Sequence, residues 1–363
     1  MPTRLTRREL LIGGASIVGV GLAAYFGIEH LPPALAPFPT ATPTPAPVGP
    51  RTFKPPLRGF LARHSVPSYD WMLGWVVTIR WTDVQANPGG ALLANNPIDR
   101  AIAACNAFNA SHPQADPSLE RGLRLRIEPL SRPGSWPSFL GGAPITVTDP
   151  ANRHSTQVGH FWTPAFVAAY MDLQSKLAAA YDSVRVLREN GLAMVELVYD
   201  EPFRRYSFPE LEATGWSLSL DQAAFGAMLQ AHKVWRATPQ FLSFNPYAVP
   251  GGGTDESYTE SVMVHFRQLF GEQAVLMNSS IRASDLSPEY DSMYAKIRSL
   301  GAPISFQTAT LSRMGDPGST FVKCVNYGAS SVELPDPYSG ISLTLLQTAQ
   351  AQLLGNRPER PIS

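Results

Sequence analysis

From residue 57 onward, short apolar runs alternate with stretches whose apolar positions recur at three and four. The runs predict strands at 57–62, 75–81, 123–128, 192–199, 241–245, 274–278, 304–307 and 331–334. Between them the helical period of 3.6 takes over. The clearest case is "TPAFVAAYMDLQSKLAAAYD", where Thr163 is placed to cap and Pro164 to open the helix. "DPGSTFVKCVNYG" repeats the device with Asp316 and Pro317, and closes on Gly328. "SPEYDSMYAKIRSLG" closes in the same way on Gly301. Eight βα units in a segment of this length predict a (β/α)8 TIM barrel. The first unit is the exception, because "RHSVPSYDWMLG" at 63–74 makes a poor helix. A doubly wound sheet is the competing α/β arrangement, but no glycine-rich phosphate loop follows an early strand. "GGG" at 251–253 reads as a loop.

The residues before 57 follow another pattern. An uncharged run from Leu10 to Ile28 follows Arg7 and Arg8, and "TRRELL" resembles the core of a twin-arginine export signal. A bilayer needs about 20 apolar residues, so the run is also long enough to anchor. Ala34-Leu35-Ala36 offers small residues for cleavage, but Pro37 follows them directly and hinders it. Residues 1–31 are therefore expected to be a signal or membrane anchor, and the location extracytoplasmic, secreted or tethered through 10–28. Residues 32–56 form a Pro/Thr-rich linker, extended for want of backbone donors. The barrel is expected over 57–355, with a polar tail at 356–363.

Charge and cysteine content narrow the function classes. The 363 residues carry 29 basic and 29 acidic side chains with no basic block. That balance argues against a nucleic-acid partner, which needs a Lys/Arg surface. Cys105 and Cys324 fit no metal spacing and cannot make a disulfide framework. No metal or other cofactor is expected.

In a barrel of this kind the site is built where the strands end. Helix-to-strand links look short, while strand-to-helix links such as 129–163 and 202–219 are long. The strand ends carry Trp81, Asp83, Glu128, Asp200, Glu201, Asn245, Asn278, Gln307 and Glu333. Amides and carboxylates in a ring suit a ligand rich in hydroxyls, since an amide both donates and accepts. Trp81, Trp136, Trp162 and Trp216 are placed to stack on sugar rings, or to pack loops onto the barrel. A carbohydrate is the expected partner.

"DEP" ending the fourth strand and "SFQTAT" ending the seventh resemble the clan of retaining (β/α)8 glycoside hydrolases. "YDEPFRRY", "FNPY", "FQTAT" and "GASSVELP" are similar to a group of glycosidase-like bacterial barrels. The resemblance implies a general acid/base at Glu201, preceded by Asp200 where the clan commonly has asparagine. It puts the nucleophile at the position of Gln307, and an amide cannot perform that step. Retaining enzymes need two carboxyl groups about 5–5.5 Å apart. Three readings stay open. Glu333 supplies the second acid, with a spacing of about 6.5–9.5 Å favouring inversion. Alternatively, Asp200 and Glu201 act together on a substrate that provides its own nucleophile. In the third, hydrolysis is lost and a glycan-binding groove remains. A structural role also exists for Asp200 and Glu201, as ion-pair partners of Arg204 and Arg205. Glu196, inside the predicted fourth strand, is expected to pair with an interior arginine such as Arg80 or Arg126.

Overall fold

The computed structural model describes residues 53–128, 145–148, 155–158, 160–193, 212–248, 254–284, 288–301 and 303–356. Eight strands close into a parallel barrel: β1 (Gly59–Ala62), β2 (Gly74–Arg80), β3 (Gly122–Glu128), β6 (Leu187–Ala193), β7 (Gln240–Phe244), β10 (Ala274–Ile281), β11 (Ile304–Thr308) and β12 (Ser331–Glu333). Closure is made by β1, which pairs with β2 on one side and with β12 on the other. Two hairpins lie outside the barrel: β4 (Ile145–Thr148) with β5 (Ser155–Val158), and β8 (Tyr247–Ala248) with β9 (Thr254–Asp255).

Helices follow every barrel strand but the first. They are α1 (Pro97–Ser111), α2 (Pro164–Tyr181), α3 (Leu218–Ala231), α4 (Glu256–Phe270), α5 (Pro288–Ser299), α6 (Pro317–Asn326) and α7 (Leu343–Gly355). The predicted caps are in place. The hydroxyl of Thr163 accepts from Phe166 N–H, and the Asp316 carboxylate accepts from Ser319 N–H. Gly301 and Gly328 close their helices at φ of 80° and 87°, a backbone region where a Cβ is penalised. No helix occupies 63–73, so the irregular first unit predicted from sequence is observed.

Two boundaries differ from expectation. The fourth barrel strand begins at Leu187, five residues before the predicted 192–199. Its "LRENG" start is charged and reads poorly as a strand, yet Glu189 and Asn190 both find buried partners there. Contacts with the barrel also begin inside the predicted linker. The Lys54 ammonium donates to Leu187 O at 2.8 Å and Thr238 Oγ1 at 2.7 Å, and burial lowers its pKa to about 8. No helix among the described residues is long and apolar enough to cross a membrane; residues 10–28 lie outside them.

Strand alternation divides the interior from the helix layer. Most of the hydrophobic core lies between barrel and helices, where Trp81, Phe166, Tyr170, Trp235 and Phe306 pack. A separate apolar cluster of Phe241, Val275 and Met277 lies on the interior-facing sides of β7 and β10. Gly191 makes room for it, because a Cβ there would come within 2.2 Å of Phe241 O and 2.5 Å of its ring. Gly191→Ala is therefore expected to cost about 1–3 kcal/mol by overpacking. A shift in the urea midpoint at unchanged m measures it; no shift would mean that Phe241 can withdraw.

Candidate functional site

The interior of the barrel is ionic at mid-height. Arg124 on β3 is fully buried, and its Nε donates to Glu189 Oε2 on β6 at 2.7 Å. Across the barrel its Nη1 donates to Glu333 Oε1 on β12 at 2.7 Å. Its Nη2 reaches Ser305 Oγ at 3.0 Å and Ser331 Oγ at 3.3 Å. These partners on β6, β11 and β12 establish that alternate residues of β3 point inward. The other oxygen of Glu189 accepts from Leu57 N–H at 2.8 Å, which ties the entering chain to the cluster.

Nearer the strand ends, inward positions on six of the eight strands are Thr78, Arg126, Ser243, Ser279, Gln307 and Glu333, with Leu61 of β1 in register with Glu333. A (β/α)8 interior is ordinarily filled by branched aliphatic side chains at this height. Here six strands present a polar side chain instead. Arg126 Nη2 donates to the same Glu333 Oε1 at 2.7 Å, and the hydroxyls of Ser243 and Ser279 bond each other. Arg63, directly after β1, bonds the carbonyl of Thr308 at the end of β11 and, at 3.3 Å, its hydroxyl. Burial pushes the Glu333 carboxyl up, but Arg126, Arg124 and Arg63 outweigh it and hold the group below its ordinary range. Glu333 is thus a carboxylate rather than a proton donor at neutral pH. Its Oε2 is buried without a hydrogen-bond partner, as are Thr78 Oγ1 and the Nε atoms of Arg63 and Arg126.

The sequence-predicted residues are distributed unevenly about this layer. Gln307 stands beside Glu333 in strand register, on the inward face and half-buried. Asn245 lies just past β7 and is nearly buried, its Oδ1 accepting from Asn278 at 2.8 Å. Asn278 faces outward from β10. It also donates to Phe244 O, and its Oδ1 accepts from Ser280 N–H and Tyr294 O–H. Its amide is committed within the protein, so it positions Asn245 instead of joining the mouth. The expected sugar platforms are corrected too. Trp81 is fully buried, donates to Gln85 Oε1 and meets Phe166 and Tyr170 edge-on. Trp216 is buried and donates to Asp221 Oδ2 at 2.9 Å. Both pack against the outside of the barrel, where their indole N–H finds a buried acceptor. Asp200, Glu201, Glu196, Arg204, Arg205 and Trp136 lie outside the described residues.

Sequence reasoning missed Arg63, Arg124 and Glu189. A signal for Arg124 was present, since "LRLRIE" alternates two guanidiniums on one face of an apolar strand. Glu196, expected to pair with an interior arginine, lies outside the described residues; among the described residues Arg126 pairs with Glu333, and Arg80 with Asp83 at 3.2 Å on the surface.

No family model and no curated protein matches this chain. Similar solved structures are glycoside hydrolases. The catalytic domain of a β-amylase from Paenibacillus polymyxa is 10% identical, at a TM-score of 0.45, covering 78% of this chain and 93% of its own. An endoglucanase of Pseudomonas stutzeri is 9% identical, at 0.47, covering 85% and 99%. Endo-glycoceramidase II from a Rhodococcus species is 15% identical, at 0.46, covering 81% and 78%. TM-scores below 0.5 carry no inference about chemistry, and the barrel stands on its own strand pairing.

Proposed function

We propose that this chain is a glycan-acting barrel of glycoside-hydrolase type, working outside the cytoplasm behind its twin-arginine-like leader. The observation that carries the reading is the polar inward layer of Thr78, Arg126, Ser243, Ser279, Gln307 and Glu333, where aliphatic packing is ordinary. Hydroxyls, an amide and a carboxylate at the mouth of a barrel match a polyhydroxylated ligand. "DEP" supplies Glu201 as the general acid/base, with Asp200 beside it to raise its pKa by like-charge repulsion. Glu333 is the second carboxylate of this reading, ionised as a base or nucleophile must be. Any chemistry at Glu333 runs through Oε2, because Oε1 is taken by two guanidiniums.

The second reading is a non-catalytic glycan-binding barrel, and Gln307 favours it. An amide beside Glu333 leaves the expected nucleophile position without a charge. Turnover on a panel of aryl-glycosides and polysaccharides separates the two. The hydrolase reading expects activity in the parent and a loss of about 10²–10⁴-fold in Glu201→Gln, the range for a general acid. Glycan binding without turnover would establish the binding barrel. Neither binding nor turnover would sink both.

A further inference from the structure

We propose that the mouth of the barrel recognises a negatively charged saccharide, holding its carboxylate between the guanidiniums of Arg63 and Arg126. This rests on the glycan reading above and adds the class of sugar. Arg63 and Arg126 are 8% and 5% exposed, and both act electrostatically with Glu333. Arg63 spends its Nη2 on Thr308, Arg126 spends its Nη2 on Glu333, and both Nε atoms are buried with no partner. Among the described residues the cluster sets three guanidiniums, Arg63, Arg124 and Arg126, against two carboxylates, Glu189 and Glu333. The next acid acting on Arg63 is Asp336, on the exposed loop after β12, and it forms no ion pair with Arg63.

Among the described residues one guanidinium is left in surplus, and in a site of low dielectric it calls for an anion. A planar carboxylate fits it best, because N–H donors of two guanidiniums can meet its two oxygens in short charge-assisted bonds. The remaining unpartnered atoms suit the rest of a sugar. Glu333 Oε2 and Thr78 Oγ1 are further unpartnered polar atoms of the barrel interior, able to answer sugar hydroxyls. Sulfated sugars share the negative charge, but three tetrahedrally directed oxygens fit two flat forks less well.

Calorimetric titration of the full chain tests this with oligogalacturonate and hyaluronan oligosaccharides, sulfated carrageenan oligosaccharides that carry no carboxylate, and neutral cellohexaose, mannohexaose and xylohexaose. The expected result is a carboxylated glycan bound at least about tenfold more tightly than any neutral one. In Arg63→Gln that preference falls about tenfold or more, while Arg63→Lys keeps part of it. Arg126→Gln is the second variant, and melting curves establish that each is folded. Equal or tighter binding of neutral glycans overturns the inference and leaves the glycan reading standing. So does a preference untouched in both folded glutamine variants. Tighter binding of the sulfated chain overturns the carboxylate assignment. No binding of any glycan removes the inference and the glycan reading together.

Discussion

Arg124→Met is expected to destabilise the barrel by about 3–5 kcal/mol, the range for breaking one partner out of a buried ion pair. Arg124 is the hub of the interior: it touches Glu189 and Glu333, both fully buried, and two serine hydroxyls. Burial pulls its pKa down, but Glu189 and Glu333 more than reverse this, so the charge is held by its partners. Without it, Glu333 keeps Arg126 and the field of Arg63, but Glu189 keeps only the Leu57 N–H and loses its guanidinium. Such a loss is a large fraction of the ~5–15 kcal/mol that holds a domain folded. Urea unfolding measures it. The double variant Arg124→Met/Glu189→Gln should recover part of the loss, since glutamine still accepts from Leu57. A loss below about 1 kcal/mol in the single variant would mean that solvent reaches the carboxylates. The interior would then be wetter than its burial states.

The second large effect is a cancellation. Asp221, in the first turn of α3, is buried with Trp216 N–H and Tyr247 O–H as its partners. Among the described residues no cation offsets its burial, which raises its pKa from 3.8 to about 7; the two hydrogen bonds oppose this only in part. His232 follows the same helix and is also buried. The Gln240 amide donates to Thr238 O, so its Oε1 accepts from His232 Nδ1–H at 2.8 Å, and Tyr170 O–H donates to Nε2 at 2.7 Å. That neutral tautomer is held by burial, which lowers the His232 pKa from 6.5 to about 4.

The signs are opposite. The folded state binds the Asp221 proton more tightly, so its contribution is present below the unfolded pKa of 3.8 and lost as pH rises towards 7. His232 contributes above 6.5, and that contribution is lost as pH falls towards 4. Between pH 4.5 and 6.5 the two slopes oppose each other, each amounting to about 2–3 kcal/mol over the window at about 1.4 kcal/mol per pKa unit. The parent should be nearly flat there. Asp221→Asn should lose stability as pH falls, and His232→Gln should gain it. Parallel slopes in the two variants would refute the assignment. Glu333, whose carboxyl is held below 4.5, enters only at lower pH.

The strand and helix periods were legible in sequence because apolar runs, caps and terminal glycines act locally. Gly301, Gly328, Thr163 and Asp316 sit where their residue type alone predicts. The early start of the fourth strand was not legible, because local propensity favours "LAMVELVY" over "LRENG". Its start at Leu187 is held by partners that sequence does not display: Arg124 for Glu189, and Gln174 and Gln240 for Asn190. The tryptophans were misread for a similar reason. Residue type says that an indole will meet an apolar surface, but not whether that surface is a sugar or Phe166.

By itself, then, the sequence determined the number and order of the barrel strands and the caps of the best helices. It also placed an amide, Gln307, beside an acid, Glu333, at the ends of strands seven and eight. Those follow from period and residue type, which are properties of neighbours along the chain. Only the tertiary structure decided that Glu333 shares one oxygen between Arg124 and Arg126, and that Asn278 and Trp81 turn away from the mouth. It also decided that Arg63 returns to the end of β11. Those depend on barrel closure, which brings β1 and β3 against β11 and β12 across sequence separations of about two hundred residues or more.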